Sequence, residues 1–141
     1  MSSKGRSNIL RSPIENKNVL LDKKTTLTSK EKNMFGYFGV GAKIKPPLRI
    51  LNPHRIHIGD KTSIQEYSHI NAFEDLSFLR EYIDSKYAND FKNEDYFYES
   101  RIEIGAENQI GRFVFVSCTN RIRLEDNVVL SERIFLGDNQ H

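Results

Sequence analysis

From Phe38 onward, apolar residues recur every six positions, a spacing that serves neither an α-helix nor a simple strand alternation. Phe38, Ile44 and Ile50 form one triplet, and Ile58, Ile64 and Ile70 a second. Ile104, Ile110 and Val116 form a third, and Leu124, Leu130 and Leu136 a fourth. Gly follows the apolar residue at Gly39, Gly59, Gly105, Gly111 and Gly137. Small or apolar side chains stand four positions after it, as at Thr62, Ser68, Val114, Val128 and Ile134. Where nothing intervenes, triplets begin 20 residues apart, from 38 to 58 and from 104 to 124. Three hexads account for all but two of those residues, and the spare pairs, Ile56-His57 and Ile122-Arg123, are expected at a corner.

A period of six has a direct physical reading. Each hexad supplies one short strand and a turn, and three hexads close one triangular coil. Successive coils stack through parallel strands, so that the apolar residues form ladders inside. A glycine after each ladder residue suits a backbone that bends where a Cβ would intrude. An amphipathic helix needs apolar residues three or four apart, which Ile58–Ile70 and Leu124–Leu136 do not provide. An antiparallel sandwich tolerates the alternation but gives no reason for a sustained six-residue period.

Charge divides the chain. Residues 1–33 carry eight Lys and Arg against three acids, a net +5, whereas the whole chain nets only +2. This lead has no aromatic residue and only scattered apolar ones, so it is expected to be mobile or laid along another surface, with residues 1–35 available to cap the first coil. The near-neutral total and the lack of interleaved aromatics argue against nucleic-acid binding. No apolar run is long enough for a membrane span or a signal peptide. The single cysteine, Cys118, excludes an intramolecular disulfide and fits a reducing cytoplasm. At two residues past a ladder position, it reads as a small packing residue.

The repeat is interrupted once. Ile58 and Ile104 are 46 residues apart, 26 more than one coil, which places an insert at about 74–101 of a repeat domain spanning 36–141. Residues 74–100 hold eight acids against three bases, and seven of the chain's fifteen aromatic residues. Leu76, Leu79, Ile83 and Tyr87 follow Asp75 at helical spacing, so a short amphipathic helix is expected there. So many rings belong on the flank of the coils, on a neighbouring subunit, or along the wall of a substrate cleft.

The hexads Ile58-Gly59-Asp60-Lys61-Thr62-Ser63 and Ile104-Gly105-Ala106-Glu107-Asn108-Gln109 resemble those of the hexapeptide-repeat acyltransferases. The lead-in Lys45–Pro53, the stretch Arg55–Asp60 and the final coil Leu124–His141 resemble the sugar O-acetyltransferases of bacterial surface-polysaccharide clusters. The resemblance spans about residues 35–141 apart from the insert. It implies an all-β, left-handed parallel β-helix of about four coils, assembled as a homotrimer, and an Asp-x-x-His motif matched by Asp138 and His141. It further implies acetyl-CoA as acyl donor, a sugar hydroxyl as acceptor and His141 as general base.

A neutral imidazole titrating near pH 6.5 suits that work, because a weakly acidic hydroxyl must lose its proton as it attacks a thioester. Direct transfer between two bound substrates needs no nucleophile from Cys118. Asn71, Ser117, Asn120 and Asn139 are the candidates for holding the acceptor, although Asn71, Ser117 and Asn120 also suit the satisfaction of corner backbone. His54, His57 and His69 invite a metal reading, but His54-x-x-His57 falls at a corner without a third ligand at suitable spacing, so no metal is expected. Two functional classes stay open: an acyl-CoA-dependent enzyme, and a non-catalytic structural or assembly module. The coils that in the family follow the catalytic histidine are missing after His141, so this chain is expected to be a shortened, feebly active domain.

Overall fold

The computed structural model describes residues 18–75 and 97–138. Within them the chain is built mainly of short strands arranged in three parallel sheets. One sheet holds β2 (Tyr37–Phe38), β5 (Ile56–Ile58), β8 (Arg101–Ile104) and β11 (Arg121–Leu124). A second holds β3 (Lys43–Ile44), β6 (Ser63–Ile64), β9 (Gln109–Ile110) and β12 (Val129–Leu130). The third holds β4 (Leu48–Leu51), β7 (Ser68–Ala72), β10 (Val114–Cys118) and β13 (Ile134–Gly137). The chain visits the three sheets in the same order each time, and each strand pairs with its equivalent one coil away.

The register reproduces the six-residue period. Phe38 lies opposite Ile58, Ile58 opposite Ile104 and Ile104 opposite Leu124. Ile44, Ile64, Ile110 and Leu130 form the second ladder. Ile50, Ile70, Val116 and Leu136 form the third. Strand alternation turns these side chains inward, where Ile50, Ile58, Ile64, Ile70 and Val116 are buried. The insert lies between β7 and β8 without disturbing this pairing, since Ile56 and Ile58 still face Ile102 and Ile104.

Two features of the corners differ from expectation. Ile56-His57 and Ile122-Arg123 are not corner residues but lie inside β5 and β11, where a fourth inward ladder runs Ile56, Ile102, Ile122. Residues two apart on a strand share a face, so Ile56 must point inward with Ile58. The bend itself falls three positions after the ladder residue, not at the glycine. Lys61, Tyr67, Glu107, Phe113, Asn127 and Arg133 all have φ between 57° and 65°. Gly41 takes the equivalent place in the first coil with φ 77°, and at Pro47 the corner has a cis Pro46–Pro47 peptide instead. The glycines after ladder residues serve close approach: a Cβ on Gly39 would stand 2.5 Å from Asp60 N, and one on Gly59 would run into the Gly105 backbone.

The described part of the basic lead is laid on the first coil. Strand β1 (Leu20–Lys23) pairs antiparallel with β4, Leu21 opposite Ile50 and Asp22 opposite Arg49. Leu21, Leu27 and Phe35 bury their side chains in the core. A single-turn helix, α1 (Ser29–Lys32), starts at a capping box in which Glu31 N donates to Thr28 Oγ1 at 3.1 Å and Thr28 N to Glu31 Oε1 at 2.9 Å. Lys23 Nζ closes on the same carboxylate at 2.8 Å, tying β1 to α1. Residues 1–17, and the helix expected from Leu76 to Tyr87, lie outside the described residues.

Candidate functional site

The third sheet gathers most of the residues singled out as site candidates. Asn71 on β7 lies opposite Ser117 on β10, both on the outward face beside the inward ladder. Among the described residues, Asn71 Oδ1 is buried with no hydrogen-bond partner. One coil further on, Asp138 follows β13, and its N–H donates to Ser117 O at 3.3 Å.

The Asp138 carboxylate sits over the corner that links β10 to β11. Oδ1 accepts from Thr119 N at 2.8 Å, and Oδ2 accepts from Asn120 N at 2.9 Å and Arg121 N at 2.7 Å. Burial works to raise the Asp138 carboxyl pKa, but the backbone donors of Thr119, Asn120 and Arg121 outweigh it and hold the group below the ordinary range. Asn120 thus enters the cluster through its backbone N–H. Asp138, Ser117, Asn120 and, one coil away, Asn71 are brought together. Asn139 and His141 lie outside the described residues.

Cys118 ends β10 beneath this corner, fully buried. Burial pushes its thiol up to about 11, helped by the negative charge of Asp138 and opposed by the backbone around it. Its Sγ lies 3.4 Å from Arg101 O, to which the S–H donates. A thiol so held stays protonated at neutral pH and is a poor nucleophile.

A second cluster forms where the chain leaves β7 and re-enters β8, and sequence reasoning passed over it. Glu74 is 1% exposed, yet its Oε2 accepts from Arg55 Nε at 2.6 Å and His54 Nε2 at 2.5 Å. Burial favours the neutral acid, and the hydrogen bonds from His54 and Arg55 overcome it, so the carboxyl is held below its usual value. Arg55 also donates from Nη1 to Ser100 O at 3.1 Å and lies 5.3 Å from the Phe97 ring centroid. Tyr98 N donates to Glu74 O at 2.7 Å, so the two feet of the insert are joined. The signal was the pair His54-Arg55, 19 to 20 residues before an acid at the end of a ladder strand.

His57 and His69 face outward on β5 and β7. Burial lowers both imidazole pKa values, with Arg101 adding to the effect at His57 and Arg49 at His69. Both rings are therefore neutral at neutral pH. His69 packs edge-on against Phe115 at 4.9 Å. Among the described residues, no group of three His, Cys, Asp or Glu is placed to hold a metal ion, and no helix is long and apolar enough to cross a membrane.

No family model, curated protein or solved structure matches the chain. The functional reading therefore rests on the repeat, on the motif at Asp138 and His141, and on the two clusters.

Proposed function

We propose that this chain carries the fold and the chemistry of a cytoplasmic acyl-CoA-dependent O-acyltransferase acting on a sugar or polysaccharide-precursor hydroxyl. The observation that carries the reading is the ladder register, in which equivalent residues pair 20 positions apart, or 46 across the insert, through three parallel sheets. That arrangement is the one a left-handed hexapeptide β-helix requires, and a homotrimer follows from the same resemblance. His141 acts as general base, taking the proton of the acceptor hydroxyl as its oxygen attacks the thioester carbonyl. The carbon–sulfur bond then breaks, and coenzyme A leaves as the thiol with a proton returned from the imidazole. Asn71 and Ser117 supply polar groups toward the acceptor, and Asn120 and Asn139 extend that set. The high pKa of Cys118 favours direct transfer over an acyl-enzyme.

A second reading is favoured by one observation. Asp138 commits both carboxylate oxygens to the backbone of residues 119–121. An aspartate so engaged is a corner clamp in its own right, as a non-catalytic structural or assembly module would need. Acetyl-CoA turnover over a panel of sugars separates the two. Turnover that disappears in His141→Ala while the fold is retained supports the enzyme. A folded chain that neither turns over acetyl-CoA nor binds coenzyme A by calorimetry establishes the structural module.

A further inference from the structure

A cleft of about 380 Å³ opens on the outer face of the first sheet, lined by His54, Arg55, His57, Glu99, Ser100 and Arg101. Two of these lining residues, His54 and Arg55, already hold the buried Glu74 carboxylate. Among the described residues, three sets of donors remain for a ligand. Arg55 commits Nε to Glu74 and Nη1 to Ser100 O, which leaves Nη2. Arg101 commits only Nε, to Glu103 Oε2 at 2.7 Å, which leaves both terminal nitrogens. His57 has no hydrogen bond to either ring nitrogen among the described residues, although its ring is half-buried against Gly36. A partly desolvated imidazole without a partner, beside two guanidinium groups with donors to spare, is organised for an oxyanion. The lining charges are Arg55 and Arg101 against Glu99, and the Glu74 carboxylate held by Arg55 offsets the remaining positive charge until His57 protonates. Glu103 and Arg121 lie just outside, paired to each other at 2.7 Å, and Tyr37 adjoins His57 on β2, its hydroxyl held by Asp60.

We propose that this cleft binds the phosphate group of a small phosphorylated ligand, held by the terminal nitrogens of Arg55 and Arg101 and by the His57 ring. Guanidinium groups match the tetrahedral dianion with paired N–H donors, and a phosphate near His57 stabilises the imidazolium. Binding and protonation of His57 are therefore linked. Burial and Arg101 hold the free ring neutral, and the bound anion raises its pKa. The cleft is distinct from the Asp138 corner, and its occupancy is measured without reference to acyl transfer, so the two readings stand or fall separately.

The test is a pH titration of the histidine ring resonances of the full chain, alone and with inorganic phosphate, glucose 1-phosphate or acetate, joined to calorimetry at about pH 6.5. Saturable binding of glucose 1-phosphate, an upward move of the His57 titration and at least about tenfold weaker binding in Arg101→Gln are expected. His57→Asn should weaken binding and abolish the moving resonance, with circular dichroism unchanged in both variants. Tighter binding of glucose 1-phosphate than of phosphate assigns contacts beyond the anion, while equal binding supports a bare phosphate subsite. Equal binding of acetate overturns the phosphate assignment. Absence of saturable binding, or binding indifferent to both substitutions, overturns the site.

Discussion

Arg55 Nε meets Glu74 Oε2 at 2.6 Å at the point where the second coil gives way to the insert. Arg55 comes from the turn before β5 and Glu74 from just after β7, so the pair spans one whole coil. Both groups are largely removed from water, with side-chain exposures of 16% and 2%. Removing one partner leaves the other charge buried and alone, which costs more than the pair contributes. Glu74→Ala is expected to lower stability by about 3 kcal/mol. Glu74→Gln, which keeps an acceptor for Arg55, is expected to cost about 1–2 kcal/mol. Urea unfolding of both variants checks this, and equal losses would show that the charge on Glu74 contributes nothing.

Glycine is required at two kinds of position for two different reasons. Gly59 needs space, because its Cβ would collide with the backbone of Gly105 in the coil above. Gly41 needs conformation, since its φ is 77° while the nearest atom to an added methyl, Lys61 Cγ, is 3.5 Å away. Gly41→Ala is expected to cost about 1 kcal/mol. Gly59→Ala forces two coils apart and is expected to cost about 3 kcal/mol or to prevent folding. Thermal melts that rank the two in the opposite order would refute the close-approach account.

The ladders were legible from the sequence because burial leaves its mark on residue type. Ile58, Ile64 and Ile70 could be read as inward before any pairing was known, and their partners 46 residues later could be read with them. The left-handed corners were not legible. Lys61, Tyr67, Glu107 and Phe113 are ordinary side chains, and a cost of about 1 kcal/mol for a left-handed residue is too small to restrict such exposed or half-buried positions to glycine. Strand β1 was also hidden, since Leu21 and Leu27 form no periodic pattern and find their burial on a coil already built. At the candidate site, Asp138 stood out by its motif. Glu74 did not, because it begins an acid-rich stretch in which seven other acids look alike.

Successive members of one ladder should respond differently to truncation. Ile102 is 0% exposed and is packed between Ile56 and Ile122, whereas Ile122 on the fourth coil is only partly buried. Ile102→Ala is expected to cost about 3–4 kcal/mol, a lost transfer contribution plus an enclosed cavity. Ile122→Ala leaves a void that water can enter and is expected to cost about 1–2 kcal/mol. Denaturant midpoints at unchanged m-value measure the difference.

Glu103 gives the fold a dependence on acid. Arg121 and Arg101 donate to its two oxygens and hold the carboxyl at about 2 against an ordinary 4.5. A folded pKa below the unfolded one means that the stabilisation is complete above about 4.5 and is lost as pH falls toward about 2. Glu103→Gln should therefore flatten the dependence of Tm on pH within that window and leave it unchanged above about pH 6. Because the arginines are about half exposed, salt at about 1 M should shrink the effect. A wild-type slope that survives in Glu103→Gln assigns it to other carboxylates.

Asp138 decides whether the corner after β10 is held by a side chain or only by its own turn. Three successive N–H groups, of Thr119, Asn120 and Arg121, converge on its two oxygens. Asp138→Ala removes the acceptor from all of them, and about 2 kcal/mol of stability should go with it. The more specific readout is local. Hydrogen exchange at Asn120 and Arg121 should accelerate in Asp138→Ala, while the Gln109 amide in β9, which donates to Val128 O at 2.9 Å, keeps its protection. Asp138→Asn retains acceptor geometry without charge and should fall between the two. The carboxyl pKa is depressed in the fold, so the clamp is present at neutral pH and loosens only as pH falls through that lowered value. Unchanged exchange at Asn120 and Arg121 in Asp138→Ala would mean that the corner holds itself, and would leave Asp138 available for His141.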